Sequence, residues 1–191
     1  MASFDTVSGG RLDPEKWKNY RPIAVTDIAY RILGTCIQLK LAPLLQHLTG
    51  ESQPGFIPDR RIDDDIMVVT ELAHYCNNRG RSGIFILLDA AKAYDRVHYP
   101  FLQKTLDAFG FPKDFCDLIK TMYTGISSKL KINGHIGELF DVKNGVRQGC
   151  CVAPSLFVIA QEVLLRSIRE STHTHTHTHT HTHTHTHTHT H

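Results

Sequence analysis

The sequence predicts an α+β fold, and three observations carry that prediction. Apolar residues recur at helical spacing in several long segments. Two short alternating segments flank Asn133-Gly134, which is a hairpin signal. A continuous β-favouring run, Ile84-Phe85-Ile86-Leu87-Leu88, stands between Gly83 and Asp89 and reads as a buried strand. Helices and strands are intermixed along the chain, which favours α+β over either pure class.

The elements follow in order. Residues 1–22 are polar and broken by Gly9, Gly10, Pro14 and Pro22, so an extended lead-in is expected, disordered over residues 1–16. Asp27 to His47 carries Ile28, Ile32, Leu33, Cys36, Ile37, Leu41, Leu44 and Leu45 at helical spacing, with Pro43 expected to kink or restart the helix. Gln53 to Arg61, with Pro54, Gly55, Pro58 and paired arginines, reads as a structured loop. A second helix fits Ile62 to Asn77, burying Ile66, Val69, Thr70, Ala73 and Tyr75 or Cys76, with Asp63-Asp64-Asp65 as its acidic first turn. After the Ile84–Leu88 run come helices at Pro100–Phe109 and Lys113–Tyr123, separated by Gly110-Phe111-Pro112. Ser127–Ile132 and Glu138–Val142 form the hairpin, with a connection longer than two residues. A loop from Gly145 to Pro154 leads to a last apolar helix, Ser155–Arg169. Residues 17–170 make the folded domain. Residues 171–191 form a low-complexity tail, because Thr172 to His191 is a strict Thr-His alternation.

Composition sets limits. Of 191 residues 41% are hydrophobic and 21% charged, and the net charge is +2, so charge alone is a weak pointer to nucleic acid. Cys36, Cys76, Cys116, Cys150 and Cys151 include no CxxC pair, so reduced and mostly buried thiols are expected. His47, His74, His98 and His135 lack ligand spacing and read as surface or interfacial residues. No apolar run approaches the ~20 residues of a membrane span, and no signal-peptide core opens the chain. An intracellular protein, in cytoplasm or nucleus and without a membrane partner, is expected.

Two segments carry chemistry. In Leu88-Asp89-Ala90-Ala91-Lys92-Ala93-Tyr94-Asp95, a carboxylate ends a buried strand, which suits a Mg²⁺ ligand or, equally, a cap on the next turn. In Asn144-Gly145-Val146-Arg147-Gln148-Gly149, two glycines let backbone approach a ligand while Arg147 and Gln148 offer donors. Alone, that loop also fits a plain hairpin-to-helix connection.

Taken in order, these segments resemble the reverse transcriptase domain of LINE-type (non-LTR) retrotransposons. Asn19-Tyr20-Arg21-Pro22-Ile23 looks like that family's opening motif and Gln53 to Arg61 like its fingers motif. Leu88 to Val97 and Gly145 to Phe157 are similar to its first and second palm motifs, and Gly110-Phe111 and Asn133-Gly134 fall where the family has such pairs. The resemblance covers roughly residues 17–169 and implies the fingers and N-terminal palm of a right-hand polymerase, a nucleotidyltransferase. Its partners would be an RNA template, a DNA primer and deoxynucleotides.

Residue by residue, the resemblance implies that Asp89 is a catalytic, metal-binding aspartate of a two-Mg²⁺ site. Tyr94 stands at the aromatic position under the sugar that excludes a 2′-hydroxyl by clash; many members have Phe there. Arg147, Gln148 and Gly149 match the loop touching nucleotide and template, and Arg21, Arg60 and Arg61 the cations meeting triphosphate or template. Cys151 and Ala153 replace the family's usual Pro and Ser. The aromatic-x-Asp-Asp motif does not occur after Phe157, and thumb and endonuclease are expected to be absent. Polymerase activity is therefore not expected from these residues alone. Two other outcomes stay open: a non-catalytic nucleic-acid binder using Arg21, Arg60, Arg61 and Lys92, and a relic without function. The Thr-His repeat is what an in-frame CA dinucleotide repeat encodes, and alternating histidines also have affinity for Ni²⁺, Cu²⁺ or Zn²⁺.

Overall fold

Alternation at the start of the chain sets the first strand. The computed structural model describes residues 2–6, 20–51, 53–84, 86 and 88–182, with backbone alone for 2–6, 21 and 172–182. Strand β1 (Ala2–Thr6) pairs antiparallel with β2 (Tyr20–Ala24), Ala2 opposite Ala24 and Thr6 opposite Tyr20. For residues 2–6 a strand stands where disorder was expected: the alternating Ala-Ser-Phe-Asp-Thr forms a ladder. The remainder of that lead-in, residues 7–19, lies outside the described residues. β1 also pairs in parallel with β3 (Ser127–Ile132), and β3 antiparallel with β4 (His135–Asp141), giving the order β2-β1-β3-β4. Pro22, which cannot donate to a ladder, sits on the edge strand β2.

The hairpin is tighter than its sequence suggested. Asn133 and Gly134 alone connect β3 to β4, with φ of 48° and 87°. Both angles lie in the left-handed region that two-residue hairpin turns require, and Asn-Gly suits them. β4 begins at His135, three residues before the expected Glu138, and includes Gly137 near a register shift between Lys129 and Lys131.

Helix α1 (Ile28–Leu48) starts where the Asp27 carboxylate accepts the Ala29 N–H at 2.8 Å. It continues through Pro43 as one helix, where a restart had been an alternative. Gly34, Ile37, Leu41 and Leu45 make a stripe of 3-4-4 spacing that is buried. α1 packs on α5 (Ala153–Thr182), and Ser155 Oγ donates to Gln38 Oε1 at 2.6 Å between them. By length and average composition α1 could cross a membrane, although no uninterrupted apolar run in it approaches that length. The reason is that Arg31, Gln38, Lys40 and Gln46 interrupt every run while the average stays apolar.

Helices α3 (Tyr99–Ala108) and α4 (Lys113–Tyr123) match their expected spans to within a residue. Leu102 and Leu106 of α3, with Cys116, Ile119, Met122 and Tyr123 of α4, join Leu156, Val158 and Ile159 of α5 in the core. α5 is buried nearly all round in its first turns and carries a buried carboxylate, Glu162. That group accepts from the Gly50 N–H at 3.2 Å, from Arg166 Nε at 3.2 Å and from Arg169 Nη2. The helix extends into the Thr-His segment instead of stopping at Arg169. No Gly or Pro follows Ser155, and extending an existing helix is far easier than starting one.

Two expectations of burial fail. Helix α2 (Ile62–Asn78) has the predicted span and acidic first turn but no buried residue; Ile66 is 59% and Val69 50% exposed. Ile84–Leu88 is no strand where described, and Ile84, Ile86 and Leu88 are 90%, 79% and 80% exposed. Phe85 and Leu87 lie outside the described residues. Both segments have the right local pattern and no described element opposite them, and a strand without a ladder leaves its backbone groups unpaired. The thiols also differ from expectation: Cys116 and Cys150 are buried, but Cys36 and Cys151 are exposed.

Candidate functional site

Three distant segments are stitched together by main-chain hydrogen bonds. The Gly145 N–H donates to Val97 O and the Val146 N–H to Tyr94 O, both at 2.9 Å. The Ala24 N–H of β2 donates to Gln148 O at 2.8 Å. Such close approach requires glycine. A Cβ on Gly145, at φ 94°, would lie 2.9 Å from Asp95 Cα. One on Gly149, at φ 100°, would lie 2.8 Å from Ala24 O.

The seam opens into a cleft of about 490 Å³ whose walls include Phe56, Asp89, Lys92, Tyr94, Asp95, Gln148, Gly149 and Phe157. Tyr94 rides on a short 3-10 turn, Ala93–Arg96, entered through Lys92 in the left-handed conformation. Its ring stacks on Phe157, centroids 4.6 Å apart and planes 14° apart, and meets the edge of Phe56 at 6.5 Å. Burial pushes the Tyr94 hydroxyl above its ordinary pKa, so it stays neutral. The result is a flat ring fixed by two aromatic neighbours beside an exposed carboxylate, Asp89.

The fold thus brings Asp89, Tyr94, Gln148 and Gly149 to one cleft, and turns Arg147, Arg60 and Arg61 to other partners. Arg147 lines a neighbouring cavity of about 390 Å³, its guanidinium 4.6 Å over the Tyr30 ring. The Tyr30 pKa is pushed up to about 12, first by burial and then by the Cys150 thiol, with Arg147 opposing. Arg60 turns inward: its guanidinium donates to the carbonyls of Gln46, Gly50 and Gln53 at 3.2, 2.5 and 2.9 Å. Arg61 is exposed and paired with Asp63 at 2.8 Å. Arg21 lies on β2 opposite Asp5, with its side chain outside the described set. Phe56, Asp95 and Phe157 were not singled out from sequence, although each stands inside a quoted motif. Only the aromatic character of 56 and 157 hinted at a partner for Tyr94.

A divalent cation fits this site in part. Asp89 and Asp95 both line the cleft, while no group of three or more His, Cys, Asp or Glu donors is assembled among the described residues. Mg²⁺ commonly takes one or two carboxylates and completes its shell with substrate and water oxygens.

The geometry can now be set beside known proteins. Residues 13–185 match the family described as reverse transcriptase (RNA-dependent DNA polymerase). The chain is 33% identical over 153 residues to a transposon TX1 protein of 149 kDa from Xenopus laevis, covering 80% of this chain and 12% of that protein. It is 29% identical over 151 residues to the Pol polyprotein of retrotransposable element R2DM from Drosophila melanogaster, covering 79% and 14%. A probable RNA-directed DNA polymerase from the transposon X-element of the same fly is 24% identical over 150 residues, covering 74% and 16%. The chain thus spans about an eighth of the length of the first two.

Proposed function

The chain belongs to the reverse transcriptase (RNA-dependent DNA polymerase) family, with relatives in non-LTR retrotransposons, and from that membership we propose that its cleft seats the incoming deoxynucleotide. One observation carries the proposal: Asp89, Tyr94, Gln148 and Gly149, from segments far apart in sequence, line the same cavity. The Tyr94 ring, braced by Phe157 and Phe56, lies under the sugar and rejects a 2′-hydroxyl by clash; a braced ring does this better than a mobile one. Gln148 and the Gly149 backbone border nucleotide and template. Arg147 supports the loop through Tyr30, and Arg21 and Arg61 keep the phosphate-meeting role that the family resemblance gives them, Arg61 by exchanging Asp63 for a phosphate. Arg60 acts within the fold.

Residues 17–170 correspond in this proposal to fingers and N-terminal palm. Asp89 would hold Mg²⁺, which when bound supplies charge stabilisation for phosphoryl transfer; Asp95 lies close enough to share the wall. In this proposal residues 1–191 do not polymerise by themselves, because the aromatic-x-Asp-Asp motif that would add the remaining metal-binding carboxylates does not occur after Phe157.

Nucleotide binding tests the seat. Titration with Mg²⁺ and deoxythymidine triphosphate should show tighter binding than with the ribonucleotide. Tyr94→Ala should abolish that preference and Tyr94→Phe retain it. Equal affinity for both sugars in the parent chain would refute the role of Tyr94. Primer extension by the 191-residue polypeptide would refute its inactivity.

A further inference from the structure

Phe56 has a backbone that its side chain disfavours. Its φ is 60°, in the left-handed region that bulky residues rarely enter. Asp59 and Asn133 also lie there, but their short polar side chains tolerate it. Gly55, the preceding residue, could take a positive φ at no steric cost and does not. Phe56 is also 60% exposed, so burial in the core does not account for it. The loop around it is pinned on both sides. Gln53 is buried and donates through Nε2 to Gln161 Oε1 at 3.4 Å, while Ile57 is buried in the core. Gln46 Nε2 donates to Pro58 O at 3.0 Å, and Arg60 Nη1 to Gln53 O at 2.9 Å. With its neighbours fixed, the strained residue holds its ring at the wall of the cleft, 6.5 Å from the Tyr94 ring at an angle of 77°.

We propose that Phe56 is a specificity-determining residue, a positioning side chain that the pinned loop keeps in a strained backbone so that its ring confines Tyr94. This rests on the reading of the cleft as the deoxynucleotide seat. Phe56 and Phe157 play unequal parts in it. Phe157, carried by α5, stacks face to face on Tyr94 and sets the plane of that ring. Stacked rings still slide across one another, and an edge-on neighbour blocks that slide on one side. A Tyr94 ring that slides leaves room beside the sugar, which is where rejection by clash fails. Backbone strain persists where the surrounding structure over-determines it, and it gathers at ligand clamps. The loop between α1 and α2 and the turn at Ala93–Arg96 thus act on the sugar together, although Phe56 reaches it only through Tyr94.

The test uses the full chain, with deoxythymidine triphosphate and its ribonucleotide titrated in the presence of Mg²⁺ and a thermal melt of each variant. Phe56→Ala and Phe56→Gly remove the ring, and Phe56→Tyr keeps it. Preference for the deoxynucleotide should fall about two- to tenfold in both ring-less variants, as loss of one edge-to-face contact implies, and should survive in Phe56→Tyr. Alanine keeps a Cβ at φ 60° and glycine does not. Phe56→Gly should therefore melt above Phe56→Ala, the reverse of the order at ordinary positions. A purely structural residue would lower the melts and leave the sugar preference where it was. Full preference in both ring-less variants overturns the proposal, and so does a glycine variant that melts below the alanine one. A parent chain with no sugar preference would sink the nucleotide seat itself, and this proposal with it.

Discussion

Replacing Arg60 separates two roles for one conspicuous cation. Its guanidinium donates to Thr49 Oγ1 at 3.3 Å and to the carbonyls of Gly50, Gln53, Gln46 and Thr49 at 2.5, 2.9, 3.2 and 3.5 Å. These acceptors lie at the C-terminal end of α1 and in the loop after it, where helix carbonyls lack partners within the helix. A hydrogen bond from a charged donor contributes about 1.5–3 kcal/mol, but bonds sharing one side chain do not add. Water replaces some of them in Arg60→Ala, leaving a loss of roughly 2–4 kcal/mol. In a domain of this size each kcal/mol moves Tm by about 2–4 °C, so a drop of roughly 5–15 °C is expected. Arg60→Lys keeps the charge without the planar fork and should recover part of it. The assay is a circular dichroism melt run beside nucleotide and template-primer binding. A Tm unchanged within about 2 °C together with lost binding would return Arg60 to the role of substrate cation and refute the structural one.

Other outcomes follow from the same contacts. Gly149→Ala should cost about 2–3 kcal/mol, read as a lower urea midpoint, because φ is 100° and Ala24 O lies 2.8 Å from the new Cβ. Gly80→Ala, at φ 59° with nothing within 4 Å, should cost only about 1 kcal/mol; equal losses would contradict the close-approach argument. Glu162→Ala removes the acceptor shared by Arg166 and Arg169 and should destabilise by about 3–5 kcal/mol, with Glu162→Gln between parent and alanine in chemical melts. Alkali should weaken the fold. Burial raises the pKa of Tyr94, Tyr99 and Tyr123 and takes Tyr30 to about 12, so the folded state favours neutral phenols. That stability is complete below the ordinary tyrosine value of about 10 and is lost as pH rises through the folded values; urea midpoints unchanged across this range would contradict it.

What the sequence made legible was local. Helical spacing in α1, α3 and α4 acts over a few residues, and these helices stand where they were expected, whereas the Asn133-Gly134 hairpin was located but read with too long a connection. Burial is a property of what lies opposite, which explains the failures at α2 and Ile84–Leu88: Ile66 and Ile86 have the right local pattern, yet both are exposed among the described residues. At the site, Asp89, Tyr94, Gln148 and Gly149 were legible because motif order ties them together. The bracing of Tyr94 by Phe56 and Phe157 was not, since it depends on the angle between segments far apart in sequence. Arg60 and Arg61 are adjacent and chemically alike, yet one turns into the fold and the other pairs with Asp63. Side-chain type alone does not separate them.

The exposed side chains of Ile84, Ile86 and Leu88 give Asp89 a second effect, on solubility. A short β-prone window with neither charge nor proline invites cross-β stacking between chains, and flanking charges act as gatekeepers. Here those charges are Arg79 and Arg81 before the window, and Asp89 and Lys92 after it. Asp89→Asn, the obvious substitution for silencing the cleft, would also remove the nearest gatekeeper. A variant that is inert because it has aggregated would look like a variant that is inert because it lacks a ligand. Asp89→Lys keeps a charge at the window's end while destroying a carboxylate site, and light scattering on the two variants separates chemistry from clumping.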